Sequence, residues 1–318
     1  KRQIHETGTP DQNSEERLDA YRNHFMEEVS AMAFGAYDDE FDYQFGTAQE
    51  SRNTYNDASD PNDFMGPALW PSSLTHFAVE NLNGENGLLG SDIDMLHESP
   101  LGMGIAHDYD NVYWYNDGFY SELVRYDFQQ DHDTGEHDHS DGIVHRYSEI
   151  ELSRFAGVPG HMILDKDTGI LYISDTGANR VLWVNTHDTA TTSVDIYDDP
   201  SRVEDLAEYM EVTDVEWGVF ETGLSRPSGI ALYDGTLFVS QNGNGKITGF
   251  NLDSDGKGFS NSRTVNTNAG SIMGLEVGPE GKLWYVDSLN NNVIRLDPYE
   301  DADFDQVRDS ADSYPNNS

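Results

Sequence analysis

Between residues 131 and 142 the chain reads Asp-His-Asp-Thr-Gly-Glu-His-Asp-His-Ser-Asp-Gly, its densest gathering of potential metal ligands. The imidazoles are His132, His137 and His139. Asp131, Asp138 and Asp141 are among the carboxylates, and Gly135 and Gly142 permit tight turns. Imidazole nitrogen beside carboxylate oxygen suits Zn²⁺ or a similar borderline cation, whereas the carboxylates alone would suit Ca²⁺. The spacing matches neither a zinc finger nor an EF-hand, so the competing reading is a solvated polar loop.

His161 stands apart from that run. In the repeat register given below it takes the place held elsewhere by Gly104, Gly229 and Gly274, on innermost strands that crowd an axis. An imidazole there is either a metal ligand or base in a central channel, or a histidine satisfied by a neighbouring carbonyl. Met103 and Met273 directly precede two of those glycines and Met162 follows His161. Thioethers so placed could hold Cu(I), although methionine more commonly fills gaps in a core. No Ser-His-Asp arrangement, phosphate loop or paired-carboxylate motif stands out. Asp253-Ser-Asp255-Gly256 reads as a hairpin turn, and Asp175 and Asp287 as acceptors for turn amides.

The elements that must position these residues are short strands. From Gly157 to Asn185 an apolar run closes on Lys166-Asp-Thr-Gly169, a β-branched and aromatic strand runs to Asp175, a turn follows, and alternation resumes from Arg180. The same grammar recurs at 227–251 and 272–297, and more loosely at 103–127, which marks a repeated unit. Ala31, Gly104, His161, Gly229 and Gly274 mark five copies. Most separations exceed the ~40 to 50 residues of a propeller blade, so insertions are expected at 50–63, 81–99, 129–142 and 186–211.

Pro227-Ser-Gly-Ile-Ala and Asp175-Thr-Gly-Ala-Asn-Arg-Val resemble the signature of NHL repeats, whose members fold as β-propellers of four-stranded blades. The resemblance spans most of residues 28–300 and implies an all-β propeller with five visible units, of five or six blades. It is more specific for fold than for function, because such propellers serve as scaffolds, lyases and hydrolases. Among distant relatives so implied are the peptidyl-α-hydroxyglycine α-amidating lyases, whose zinc is held by histidines from several blades. His161, in His-Met-Ile-Leu-Asp, is similar to one of those ligand strands. This chain departs from that pattern at Gly229 and Gly274, and His107 lies outside the register.

Flanking the propeller, residues 1–27 are expected to carry a short helix from Ser14, on the spacing of Leu18, Tyr21, Phe25 and Val29. A strand near Ile4 is expected to complete the last unit and tie the ring shut, and residues 301–318 read as an acidic disordered tail.

Acidic residues number 59 against 18 basic ones, a formal charge of −41. This disfavours nucleic acid as a partner and suits a surface that stays hydrated in high salt, as in halophilic proteins. No apolar run approaches the ~20 residues of a membrane-spanning helix, and without cysteine there is no disulfide or thiolate site. Export to the periplasm or the exterior is expected from the acidic surface and the resemblance. The sequence therefore points to an acidic propeller acting as a metal-stabilised binding or structural scaffold, with a protein or small-molecule partner at a loop face or in the channel. The alternative is a metal-dependent lyase or hydrolase working in that channel around His161.

Overall fold

The computed structural model describes residues 2–5, 10–21, 25–26, 28–52, 65–197, 204–278 and 281–296. Short runs of β-branched and aromatic residues, broken by Gly, Asn and Asp, leave each hairpin with two apolar faces and no partner of its own. Radial stacking of sheets buries those faces. The chain does this as a five-bladed β-propeller.

The first blade comprises Val29–Asp38, Asp42–Gln49, Ala68–Pro71 and Asp94–Met95. Residues 74–79 form turns, and the fourth strand of this blade comes from the 81–99 insertion. The second blade runs Gly102–His107, Val112–Asp117, Glu122–Asp127 and Ile143–Tyr147. Two further strands extend its outer edge. Glu208–Thr213 lies parallel to Ile143–Tyr147, and Thr192–Asp195 pairs with it in turn, so the 186–211 insertion leaves its own blade to widen a neighbour. The third blade is Met162–Asp165, Ile170–Asp175, Arg180–Asn185 and Trp217–Thr222. The fourth is Pro227–Tyr233, Thr236–Gln241, Lys246–Leu252 and Phe259–Asn266. The fifth has three strands among the described residues, Ile272–Val277, Leu283–Asp287 and Asn292–Leu296.

Turn chemistry follows the sequence closely. Asp165 accepts from the Asp167 amide and the Thr168 hydroxyl, and Gly169 supplies the positive φ that closes the turn. Asp175 Oδ1 accepts from the Ser153 amide and its Oδ2 from Arg180, while Asp287 accepts from the Leu289 amide.

Two expectations fail at the N-terminus. Asn13–Glu16 is a strand and not the start of a helix, and it pairs with Arg2–His5 in a separate two-stranded sheet. Ile4 therefore sits opposite Ser14 and does not complete the fifth blade. The spacing misled because its apolar members serve different places: Phe25 is buried, Leu18 is 62% exposed, and Val29 already belongs to the first blade. The loop centre 53–64 and the tail 301–318 lie outside the described residues.

Hydrophobic cores fill the junctions between blades one and two, two and three, three and four, and four and five. The remaining cluster, with Phe45, Trp70 and Phe77, lies on the other face of blade one. Among the described residues no core joins blade five to blade one. At the axis, a Cβ on Gly104 would strike the Gly160 carbonyl oxygen and one on Gly229 would strike the Leu275 backbone. Glycine is thus dictated there by close approach.

Candidate functional site

The histidine-rich insertion is pinned at the rim between blades one and two. The His132 amide donates to the Ile93 carbonyl (3.0 Å), the Gly135 amide to Asp92 (2.8 Å), and the Leu89 amide to Gly135 (3.0 Å). Residues 132–135 are thereby laid along 89–93, next to the strand that carries Asp94. At its far end Gly142 accepts from the Ala207 amide, bringing Glu204 of the 186–211 insertion to the same place.

Three segments far apart in sequence meet here. A ligand atom from each of Asp94, His132 and His139 lies within 4.8 Å of the other two. His132 Nδ1 donates to the Asp133 carbonyl (2.8 Å), which leaves Nε2 as the unprotonated nitrogen of a neutral ring. His139 Nδ1 donates to Glu204 Oε2 (3.2 Å), which again leaves Nε2. Both Nε2 atoms and Asp94 Oδ2 are buried without a hydrogen-bond partner. The two rings lie 5.4 Å apart. A histidine oriented by a carboxylate or a backbone carbonyl on one nitrogen, with the other turned inward, is how metal-ligating imidazoles are held.

The electrostatics fit that reading. Burial lifts the Asp94 carboxyl well above the usual carboxylate range, and Asp141, Glu204 and Asp92 push it further, against the Met95 amide that donates to it. A cation beside it would offset that penalty and favour the carboxylate. Burial draws His132 down to about 4, with His139 and His137 adding to the effect, so the ring is neutral near pH 7 and able to donate a lone pair.

A second group, His97, His139 and Glu204, shares His139. Glu204 takes the His97 amide and His97 Nδ1 at 2.6 Å each as well as His139. Burial alone would raise the Glu204 carboxyl, yet the two imidazoles hold it at about 2. Hydrogen bonds from both imidazoles and the His97 amide satisfy Glu204 without a cation, and Glu204 acts as the orienting carboxylate for His139.

The other expected ligands fall elsewhere. His137 is exposed, its Nε2 3.4 Å from the Gly87 carbonyl. Asp138 is exposed and bonds its own turn at Ser140. Asp141 accepts from the Gln130 amide, and Asp131 reaches Gln44 at 3.5 Å. His161 lies at the axis, 3.2 Å from the Ser30 carbonyl, and burial lowers its pKa. Its ring occupies space beside Gly274, where a side chain would sit in another blade. Met162 belongs to the core between blades two and three, and Met273 meets the Asn242 amide at 3.6 Å.

Asp94, His97 and Glu204 were not legible as site residues. Asp94 lies in a Ser-Asp-Ile-Asp-Met stretch that looks like insertion, and 107 residues separate His97 from Glu204. The one local hint is Ile93 between two aspartates, a strand-like alternation that places Asp92 and Asp94 on one side.

No protein-family model and no curated protein matches the sequence. Solved structures similar to this one are propellers. Virginiamycin B lyase from Staphylococcus aureus, in an inactive form with quinupristin, is 14% identical with a TM-score of 0.49, over 93% of this chain and 70% of that one. A streptogramin B lyase is 13% identical with a TM-score of 0.40, over 61% of this chain and 51% of that one, so this chain spans about half its length. An auxiliary nutrient binding protein from Bacteroides thetaiotaomicron is 11% identical with a TM-score of 0.45, over 80% and 56%. At these identities and TM-scores the likeness assigns no substrate and no residue roles.

Proposed function

We propose that this chain is an acidic NHL-type propeller that serves as a binding or structural scaffold, in which one divalent transition metal held by Asp94, His132 and His139 locks the rim between blades one and two. The observation that carries the reading is the convergence of two buried imidazole nitrogens and a buried carboxylate oxygen, each without another partner. Two nitrogens and one oxygen favour Zn²⁺, Co²⁺ or a similar borderline ion over Ca²⁺, which prefers six to eight oxygens. Locking the rim joins the 81–99, 131–142 and 186–211 insertions into one surface that a partner can meet. The charge of −41 makes nucleic acid a poor partner and suits work outside the cytoplasm at high ionic strength.

A scaffold is favoured over a lyase or hydrolase because Asp94 is 1% exposed, which leaves little room for a substrate at the metal. Titration of the EDTA-stripped protein with Co²⁺, followed by visible absorption, tests the assignment. One equivalent should produce the ligand-field bands of a low-coordinate nitrogen and oxygen site, lost in His132→Ala and kept in His137→Ala. Bands that vanish with His137 and survive without His132 would refute it.

A further inference from the structure

A cavity of about 840 Å³ occupies the axis and the open junction between blades five and one. Every innermost strand contributes an apolar wall residue: Ala33, Ile105, Ile163, Ile230 and Leu275. Where, among the described residues, no core joins the fifth blade to the first, Met32 (49% exposed), Phe34 (60%), Val286 (39%) and Val293 (59%) line the same space. So much uncovered apolar surface is unusual on a chain this acidic, and contiguous apolar patches mark ligand sites. The volume falls within the ~300 to 1,000 Å³ of small-molecule pockets.

The lining carries one cationic side chain, Lys166, and one carboxyl, Glu276. Lys166 lines the cavity, and its Nζ donates to His107 Nδ1 at 2.8 Å, a neutral acceptor, while His107 Nε2 donates to the Asp110 carbonyl. No ion pair of Lys166 with a carboxylate occurs among the described residues, in a chain with 59 acidic side chains against 18 basic ones. Asp108 is the acidic neighbour that acts on it, and partial desolvation draws the amine below the usual lysine range, a cost that an anion seated beside it would offset. Glu276 also lines the space. Its Oε1 accepts from the Val277 amide and the residue is exposed, so water and salt screen its charge from an anion on Lys166. Deeper in, His161 Nε2 donates to the Ser30 carbonyl, so the ring presents no charge to an apolar chain.

We propose that the cavity binds an amphiphilic monocarboxylate, with its hydrocarbon body along the axis and the open junction, over Met32, Phe34, Val286 and Val293, and its carboxylate on Lys166. The site shares no residue with the rim cluster and stands independently of the metal reading.

Binding of dodecanoate, dodecanol and dodecyltrimethylammonium below their aggregation concentrations, measured by calorimetry in high salt, tests this. Dodecanoate should bind at least tenfold more tightly than either congener, since a charge-assisted hydrogen bond is worth about that factor. Lys166→Met should erase the preference while leaving dodecanol unchanged; Lys166 is exposed, so the fold tolerates the change. Gly274→Leu should abolish binding of all three. A Cβ there meets His161 Cε1 at 3.4 Å and Val286 Cγ2 at 3.8 Å, ordinary contacts, so the backbone accepts a side chain at a position that lines the cavity. Equal affinity for the cationic congener, or dodecanoate binding unaltered in both variants, would overturn the proposal. Repeating the titration on EDTA-stripped protein separates it from the rim site, because cavity binding should not depend on metal.

Discussion

Asp94→Asn should change stability in opposite directions with and without metal, and the sign reversal is what separates a ligand from a merely structural carboxylate. In metal-free protein burial first, and then Asp141, Glu204 and Asp92, disfavour the ionised form of Asp94, and an amide removes that penalty while keeping the acceptor for the Met95 amide. The variant's midpoint should therefore rise. With metal at a hundredfold excess over its dissociation constant, linkage adds about 2.7 kcal/mol to the wild type. An unfolding entropy of about 2.1 cal/mol/K per residue over 318 residues makes that a shift of about 4 °C. A carboxamide in place of the carboxylate cannot supply the anion, so the variant should lose most of the shift. Thermal melts followed by circular dichroism, with EDTA and with Zn²⁺, give all four values. The reasoning fails if the wild-type melts coincide, or if the metal-induced shift persists in both Asp94→Asn and His132→Ala.

Burial lowers the pKa of His161 below 6.5, so the unfolded chain binds this proton more tightly than the folded one. Its contribution to stability is complete above pH 6.5 and is lost as pH falls toward the folded-state value. Urea midpoints should accordingly drop through that window in the wild type, and with a shallower slope in His161→Gln. Arg146 is 6% exposed and binds Asp117, Glu122 and the Glu98 carbonyl. Arg146→Met should cost about 3 kcal/mol by leaving Asp117 buried and unpaired, and adding Asp117→Asn should recover part of it in denaturant titrations. Gly229→Ala should destabilise by about 1 to 3 kcal/mol, because its methyl group would meet the Leu275 backbone, whereas Gly274→Ala should be nearly neutral.

The blades were legible because each is built from local information: a β-branched run, an Asp or Gly turn, and another run. Ile170–Asp175 and Arg180–Asn185 pair across such a turn, and Ala31, Gly104, His161, Gly229 and Gly274 all fall at or beside innermost strands. The N-terminal helix was misread because periodicity alone does not say which side a residue faces; Leu18 faces solvent and Asn13–Glu16 found a strand partner. The rim site was half legible. His132 and His139 stand in a run whose chemistry is plain, but nothing local distinguishes them from His137.

By itself the sequence determined the repeated hairpins, the acidic surface and the loop from which two imidazoles come, since these depend on residue type and on spacing of a few positions. Only the tertiary structure decided that His132 and His139 turn inward while His137 turns out, and that Asp94 and Glu204 join them. It alone shows that, among the described residues, no core joins blades five and one. Those outcomes follow from how whole sheets pack, where a partner can lie 107 residues away and burial, not chain distance, sets which polar groups must meet.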